Sequence, residues 1–198
     1  MTLLDDRDAL TTVQVHPLIT QRWSPRGFDQ GHELVREDLV PLLEAARWAP
    51  SAGNTQPTRF VVALRGEPLH DRLMAALSAG NQAWAGRASA LVVVVSLAED
   101  ANGKAYPWSR HDAGQAAAYL TFQAAAEGLH VHQMAGFDAE DVRAAAGLSE
   151  VQRPVVLVAV GVPGGLPLDG TLAERESAPR TRLPLEELVL PGEAQPAA

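Results

Sequence analysis

Two runs, "ALVVVV" and "PVVLVAVGV", do most to restrict what this 198-residue chain can become. Neither alternates polar with apolar residues, so neither can lie with one face in water. Each reads as a β-strand covered on both faces. The four consecutive valines of the first run suit the pleated, fully packed surface of a central strand. Around them lie segments with helical spacing. "REDLVPLLEAARWAP" sets Leu39, Leu42, Leu43 and Ala46 on one face and stops at Pro50. "PLHDRLMAALSAGN" opens on Pro68 and closes near Gly80, which predicts one helix there. "SRHDAGQAAAYLTFQAAAEGL" places Ser109 and Asp112 at capping-box spacing and ends near Gly128. Its Ala116, Ala117, Leu120, Ala124 and Leu129 predict a long helix packed closely at the centre. "RFVVAL" and "HVHQM" read as short extended pieces, and Asp138 caps "AEDVRAAAGL". Helices alternating with valine-rich strands predict an α/β or α+β layered fold.

Charge and composition exclude several kinds of function. The net charge of −8 argues against a nucleic-acid partner, which needs a basic face. An anionic ligand would therefore need a local cluster of arginines. With no cysteine there is no disulfide, thiol catalysis, iron–sulfur cluster or Cys-ligated zinc. The start "MTLLDDRDAL" lacks the form of a signal peptide. "ASALVVVVSLA" is far shorter than the roughly 20 residues of a membrane helix, so no membrane association and a cytoplasmic location are expected. Residues 1–190 read as one domain, and the tail 191–198, "PGEAQPAA", is expected to be disordered.

Three stretches carry candidate chemistry. "APSAGNTQPTRF" joins a helix to a strand through an unusually long link of amides and hydroxyls, fenced by Pro50 and Pro57. It is either a plain polar loop or part of a ligand site. "QRWSPRGF" puts Arg22, Ser24 and Arg26 on one side of an extended chain, an arrangement suited to gripping a phosphate. The same residues would also serve as solvated surface arginines beside a turn. A second pair, Arg180 and Arg182, repeats the alternate spacing near the other end, and four arginines together would make a phosphate socket. His111, His130 and His132 invite a zinc reading, but no acidic ligand stands at a familiar spacing, so no metal site is expected and the histidines read as structural or pocket-lining. No dinucleotide fingerprint, P-loop or serine-hydrolase elbow is present.

In this order, these segments resemble the FMN-dependent nitroreductase family, from about Pro17 to Leu190. "RWSPRGF" is similar to that family's phosphate motif, implying Arg22, Trp23, Ser24 and Arg26 at the FMN phosphate and ribityl chain. "APSAGNTQPTRFVV" resembles its most specific signature. "GNQAW" implies that Asn81 holds the pyrimidine edge of the flavin. "HQMAGFD" resembles the turn over the flavin ring, implying Gln133, Met134, Ala135 and Gly136. "PRTRLPLEEL" implies that Arg180 and Arg182 return to the phosphate.

The resemblance implies an α+β fold of three layers, with a central mixed or antiparallel sheet flanked by helices, in an intertwined homodimer with FMN at the subunit interface. Pro50, Ser51, Ala52, Asn54 and Gln56 would then reach the partner's flavin. It further implies an oxidoreductase in which NADH or NADPH reduces the flavin and a small-molecule acceptor, such as a nitroaromatic or quinone, takes the electrons in a ping-pong cycle. No side chain need be catalytic in its own right. Two positions depart from the pattern. Trp84 stands where many members carry a basic residue, and Ala135 where many carry Glu. These departures bear on substrate range, and they keep open a flavin-storing protein or a dehydrogenase of a specific metabolite.

Overall fold

The computed structural model describes residues 8–165, 169–190 and 192. In chain order its elements are α1 (Pro17–Gln21), α2 (Arg36–Arg47), β1 (Thr58–Leu64), α3 (Pro68–Ala75), α4 (Ala79–Ala85) and β2 (Ala90–Leu97), followed by α5 (Ser109–Ala126), β3 (His130–Met134), α6 (Ala139–Ala146), β4 (Gln152–Gly161), α7 (Gly170–Ser177) and α8 (Leu185–Leu188). The strands pair antiparallel throughout, in the order β1-β2-β4-β3. Of the tail expected to be disordered, residues 191 and 193–198 lie outside the described residues.

The two valine runs are the central strands β2 and β4. Ala90 through Val95 are each 1% exposed or less, as strands covered on both faces must be. Alternate side chains divide between two cores. Val92, Val94, Val158 and Val160 face α2 and the alanine-rich side of α5. Leu91, Val93, Val95, Leu157 and Ala159 face the opposite layer, where Leu73 of α3, Trp84 of α4, Val142 of α6 and Phe28 pack. The result is an α+β protein of three layers. Pro154 is accommodated at a bulge, where the register shifts between Val94 and Val95. The β3 ladder ends at Met134 opposite Leu157, so the missing N–H of Pro154 removes no bond to β3.

Two local expectations are corrected. The single helix expected from Pro68 to Gly80 is two, α3 and α4. Between them, Ala76–Ser78 pairs with the turn after β3: Ser78 N–H donates to the Gly136 carbonyl and Asp138 N–H to the Ala76 carbonyl, both at 2.9 Å. Those bonds replace the helical ones and turn the chain, so α4 begins at Ala79. The capping box at Ser109 and Asp112 does not form. Trp108 is the N-cap of α5, and the buried Asp112 carboxylate instead accepts from the backbone of Ala52 at 3.2 Å. By contrast Asp138 does cap α6, accepting from the N–H groups of Glu140 and Asp141.

Candidate functional site

The two arginine pairs, far apart in sequence, meet. Arg22, Trp23, Ser24, Arg26, Arg180 and Arg182 line one cavity of about 230 Å³ beside the edge strand β3. Arg180 reaches back to donate to the Thr20 carbonyl, and Arg22 donates to the Ser24 hydroxyl at 3.3 Å. Burial lowers the Arg22 pKa, and Arg180 and Arg182 lower it further. Arg180 is lowered for the same reasons, burial first and Arg182 second, with Asp8 opposing. Gathering cations that repel one another is unfavourable unless an anion joins them.

Sequence reasoning missed three more residues of this lining, Arg175, Glu176 and Ala178, while His132, read as structural or pocket-lining, stands in it as well. Arg175 and Glu176 sit on α7, within a stretch whose sequence shows only polarity. Glu176 accepts from the Arg26 N–H at 2.9 Å and so fixes the bend of the arginine motif. His130, next to the cavity, packs on Trp23 with ring centroids 4.2 Å apart. Burial and the nearby Arg22 push its pKa down to about 4, so it is neutral at physiological pH.

Just past the end of β3, Asn81 and Gly136 come together. The Asn81 side chain donates to the Gly136 carbonyl at 3.0 Å. Gly136 has to be glycine: a β-carbon there would lie 2.7 Å from the Ser78 hydroxyl. Gly136 follows His132 by four residues, two of them past the end of β3, a span of at most about 13 Å at the usual rise. An elongated ligand can therefore touch the arginine cavity with one end and Asn81 with the other. The remaining turn residues differ in what they offer. Met134 is buried in the core and Gln133 donates to the Ala117 carbonyl and Thr121 hydroxyl of α5, whereas Ala135 is exposed. Trp84, one turn after Asn81, is 2% exposed and packs between Phe28 and His132, so that position presents no charge to the site.

The loop of Pro50, Ser51, Ala52, Asn54 and Gln56 lies elsewhere. It enters β1, the opposite edge strand, at the end where Thr58 pairs with Ser96. Its anchor Asp112 belongs to α5, on the face of the sheet away from Asn81. From the loop to the row of His132 the sheet measures about 14 Å across and about 17 Å along, from strand spacing and rise. The sequence-predicted site thus assembles as two clusters that do not meet within one chain. The loop itself is strained and tightly held. Gly53, Asn54 and Gln56 all adopt positive φ, near 57°, 56° and 49°. Glycine and asparagine tolerate that region, but Gln56 does not readily, and such strain persists only where the surroundings impose it. Here the Ser51 hydroxyl accepts from the Gln56 N–H at 3.1 Å and Arg59 donates to the Gln56 carbonyl at 2.9 Å. Ala52 through Gln56 are nonetheless exposed.

Comparison with known proteins agrees with this architecture. The profile of the Nitroreductase family matches residues 19–83 and 67–162. An uncharacterized 15.4 kDa protein from the ask 5' region of Mycolicibacterium smegmatis is 38% identical over 143 residues, covering 68% of this chain and 95% of that protein. The oxygen-insensitive NADPH nitroreductase of Helicobacter acinonychis is 40% identical over 80 residues, but these span only 40% of this chain and 37% of that enzyme. Among solved structures, an oxidoreductase containing FMN superposes with a TM-score of 0.86 at 35% identity, covering 98% of this chain and 99% of its own. A chain from Desulfovibrio desulfuricans, crystallised in complex with FMN, gives a TM-score of 0.73 at 25% identity over 92% of this chain and all of its own. No helix among the described residues is long and apolar enough to cross a membrane. The match over most of the chain, in sequence and in fold, makes this protein a member of the nitroreductase family.

Proposed function

We propose that the chain is an FMN-dependent oxidoreductase, and the convergence of Arg22, Arg26, Arg175, Arg180 and Arg182 on one small cavity carries the reading. The cavity fits the phosphate of a flavin nucleotide. Its cations repel one another, and the buried Nε of Arg22 has no hydrogen-bond partner among the described residues. Asn81 and the backbone at Gly136, just past the end of the same edge strand, fit the polar rim of a flat ring. FMN, when bound, supplies the redox chemistry, taking hydride from NADH or NADPH and passing electrons to a small acceptor such as a nitroaromatic or quinone. The chain's own residues bind and orient. The arginines fix the phosphate end, Trp23 and His132 wall the cavity, and the Asn81 amide, held by the Gly136 carbonyl, keeps its oxygen for a ring N–H.

The same reading makes the protein a homodimer. The loop at Pro50–Gln56 is built and strained as a binding loop, yet lies out of reach of the arginine cavity of its own chain. A second copy brings the two together. The C-terminal segment adds apolar surface that needs cover, with Leu183, Leu185, Leu188 and Leu190 between 59% and 82% exposed. Sedimentation should show a dimer, and FMN at a hundredfold excess over its Kd should stabilise it by about 2.7 kcal/mol, raising the melting temperature. A stable monomer with full flavin occupancy would contradict the shared site. A flavin-storing role on the same fold draws on one observation. Trp84 is turned into the core, so α4 offers no cation one turn after Asn81 to favour a reduced, negatively charged ring.

A further inference from the structure

His132 stands in the wall of the arginine cavity with its ring fixed from two sides. One face packs on Trp84, with centroids 4.4 Å apart. Its Nδ1 lies 2.9 Å from the Pro25 carbonyl oxygen. A carbonyl can only accept, so in the neutral ring the proton sits on Nδ1 and Nε2 carries a lone pair. The ring lines the same cavity as Arg22, Arg26, Arg175, Arg180 and Arg182. We infer that His132 Nε2 is a further ligand of the phosphate in this cavity, and that it couples phosphate binding to the uptake of one proton. The inference rests on the phosphate reading of the cavity given above.

The chemistry follows from the charges that face the ring. A phosphate monoester has a second pKa of about 6, so at pH 8 it is a dianion with acceptors only. Lone pair would meet lone pair at Nε2 unless one proton enters from solvent. Arg22, Arg26, Arg175, Arg180 and Arg182 hold the phosphate in its dianionic form, so the proton settles on Nε2. Before the anion arrives, the balance runs the other way. Burial lowers the His132 pKa; the Pro25 carbonyl opposes this, Arg26 adds to it, and Glu176 and the Ser24 carbonyl oppose it again. The empty cavity thus favours neutral imidazole, and the dianion reverses the local field. His132 is a positioning residue that closes the cavity around a doubly charged group.

Calorimetric titration of flavin-free protein with FMN tests this, run from pH 6 to 9 in two buffers of different ionisation enthalpy, with riboflavin as the control lacking phosphate. The expected result for wild type is uptake of about one proton per FMN at pH 8 and affinity falling three- to tenfold per pH unit above pH 7, with neither effect for riboflavin. His132→Asn retains a donor for the Pro25 carbonyl but cannot titrate, and its FMN affinity should be flat with pH above pH 7 and about tenfold weaker than wild type at pH 7. FMN binding to wild type without proton uptake, or His132→Asn with an unchanged pH slope, overturns this inference alone. Failure of wild type to bind FMN overturns it together with the flavin reading. Should the variant not fold, the wild-type comparison of FMN with riboflavin decides by itself.

Discussion

Arg22→Ala is expected to weaken FMN binding about ten- to a hundredfold while leaving the flavin-free protein nearly as stable as wild type. Charge-assisted hydrogen bonds contribute roughly 1.5–3 kcal/mol each, and about 1.4 kcal/mol is a factor of ten in affinity. Without an anion, the Arg22 guanidinium is half-buried beside Arg180 and Arg182, so removing it relieves repulsion while losing packing of its stem. The two effects oppose each other in the empty protein and add in the complex. Arg182→Ala should behave similarly, with a smaller effect because that side chain is exposed. Titration of flavin-free protein gives the affinity, and urea unfolding gives the stability. Unchanged FMN affinity in both variants would remove the socket.

Trp84→Ala should cost about 3–5 kcal/mol of folding stability, the usual loss when a fully buried large aromatic is truncated. Few domains have more than about 5–15 kcal/mol in total. The indole is 2% exposed and fills the layer between Phe28 and the sheet, where Leu91 and Val93 are wholly covered. It is also the surface on which the His132 ring rests, so its loss should loosen the cavity wall as well as the core. Trp84→Phe keeps an aromatic in that layer and should lose well under half as much. Guanidinium unfolding of the two variants checks both figures. A loss below about 1 kcal/mol for the alanine variant would mean that the indole does not fill this core.

Much of this architecture is written in local pattern. The valine runs could only be central strands, and the spacing of Leu39, Leu42 and Ala46 could only serve a helix with one buried face. Asp138 caps where it should, its carboxylate taken by the N–H groups of Glu140 and Asp141 in its own helix. The failures have a common cause. Asp112 has the right spacing for a cap, yet the Ala52 N–H, sixty residues away, takes its carboxylate instead. The break at Ala76–Ser78 carries no proline or glycine, because it is made by hydrogen bonds to the turn at Gly136–Asp138. The site divides in the same way. Each arginine pair shows in its alternate spacing, but their meeting depends on contacts such as Arg180 with Thr20, 160 residues apart. His132 is legible in the sequence only as structural or pocket-lining, since a histidine on an edge strand is common and its orientation is set by Pro25 and Trp84.

The central claim is that this fold holds FMN and passes hydride through it. The visible spectrum of the purified protein, recorded before and after anaerobic addition of NADH or NADPH, tests that claim most directly. The account predicts a yellow protein, or one made yellow by added FMN, whose flavin absorbance bleaches with at least one of the two donors and returns with a quinone or nitroaromatic. A protein that stays yellow with both donors would contradict the reductase and favour storage of the cofactor. A colourless protein that cannot be loaded with FMN would contradict the flavin site itself.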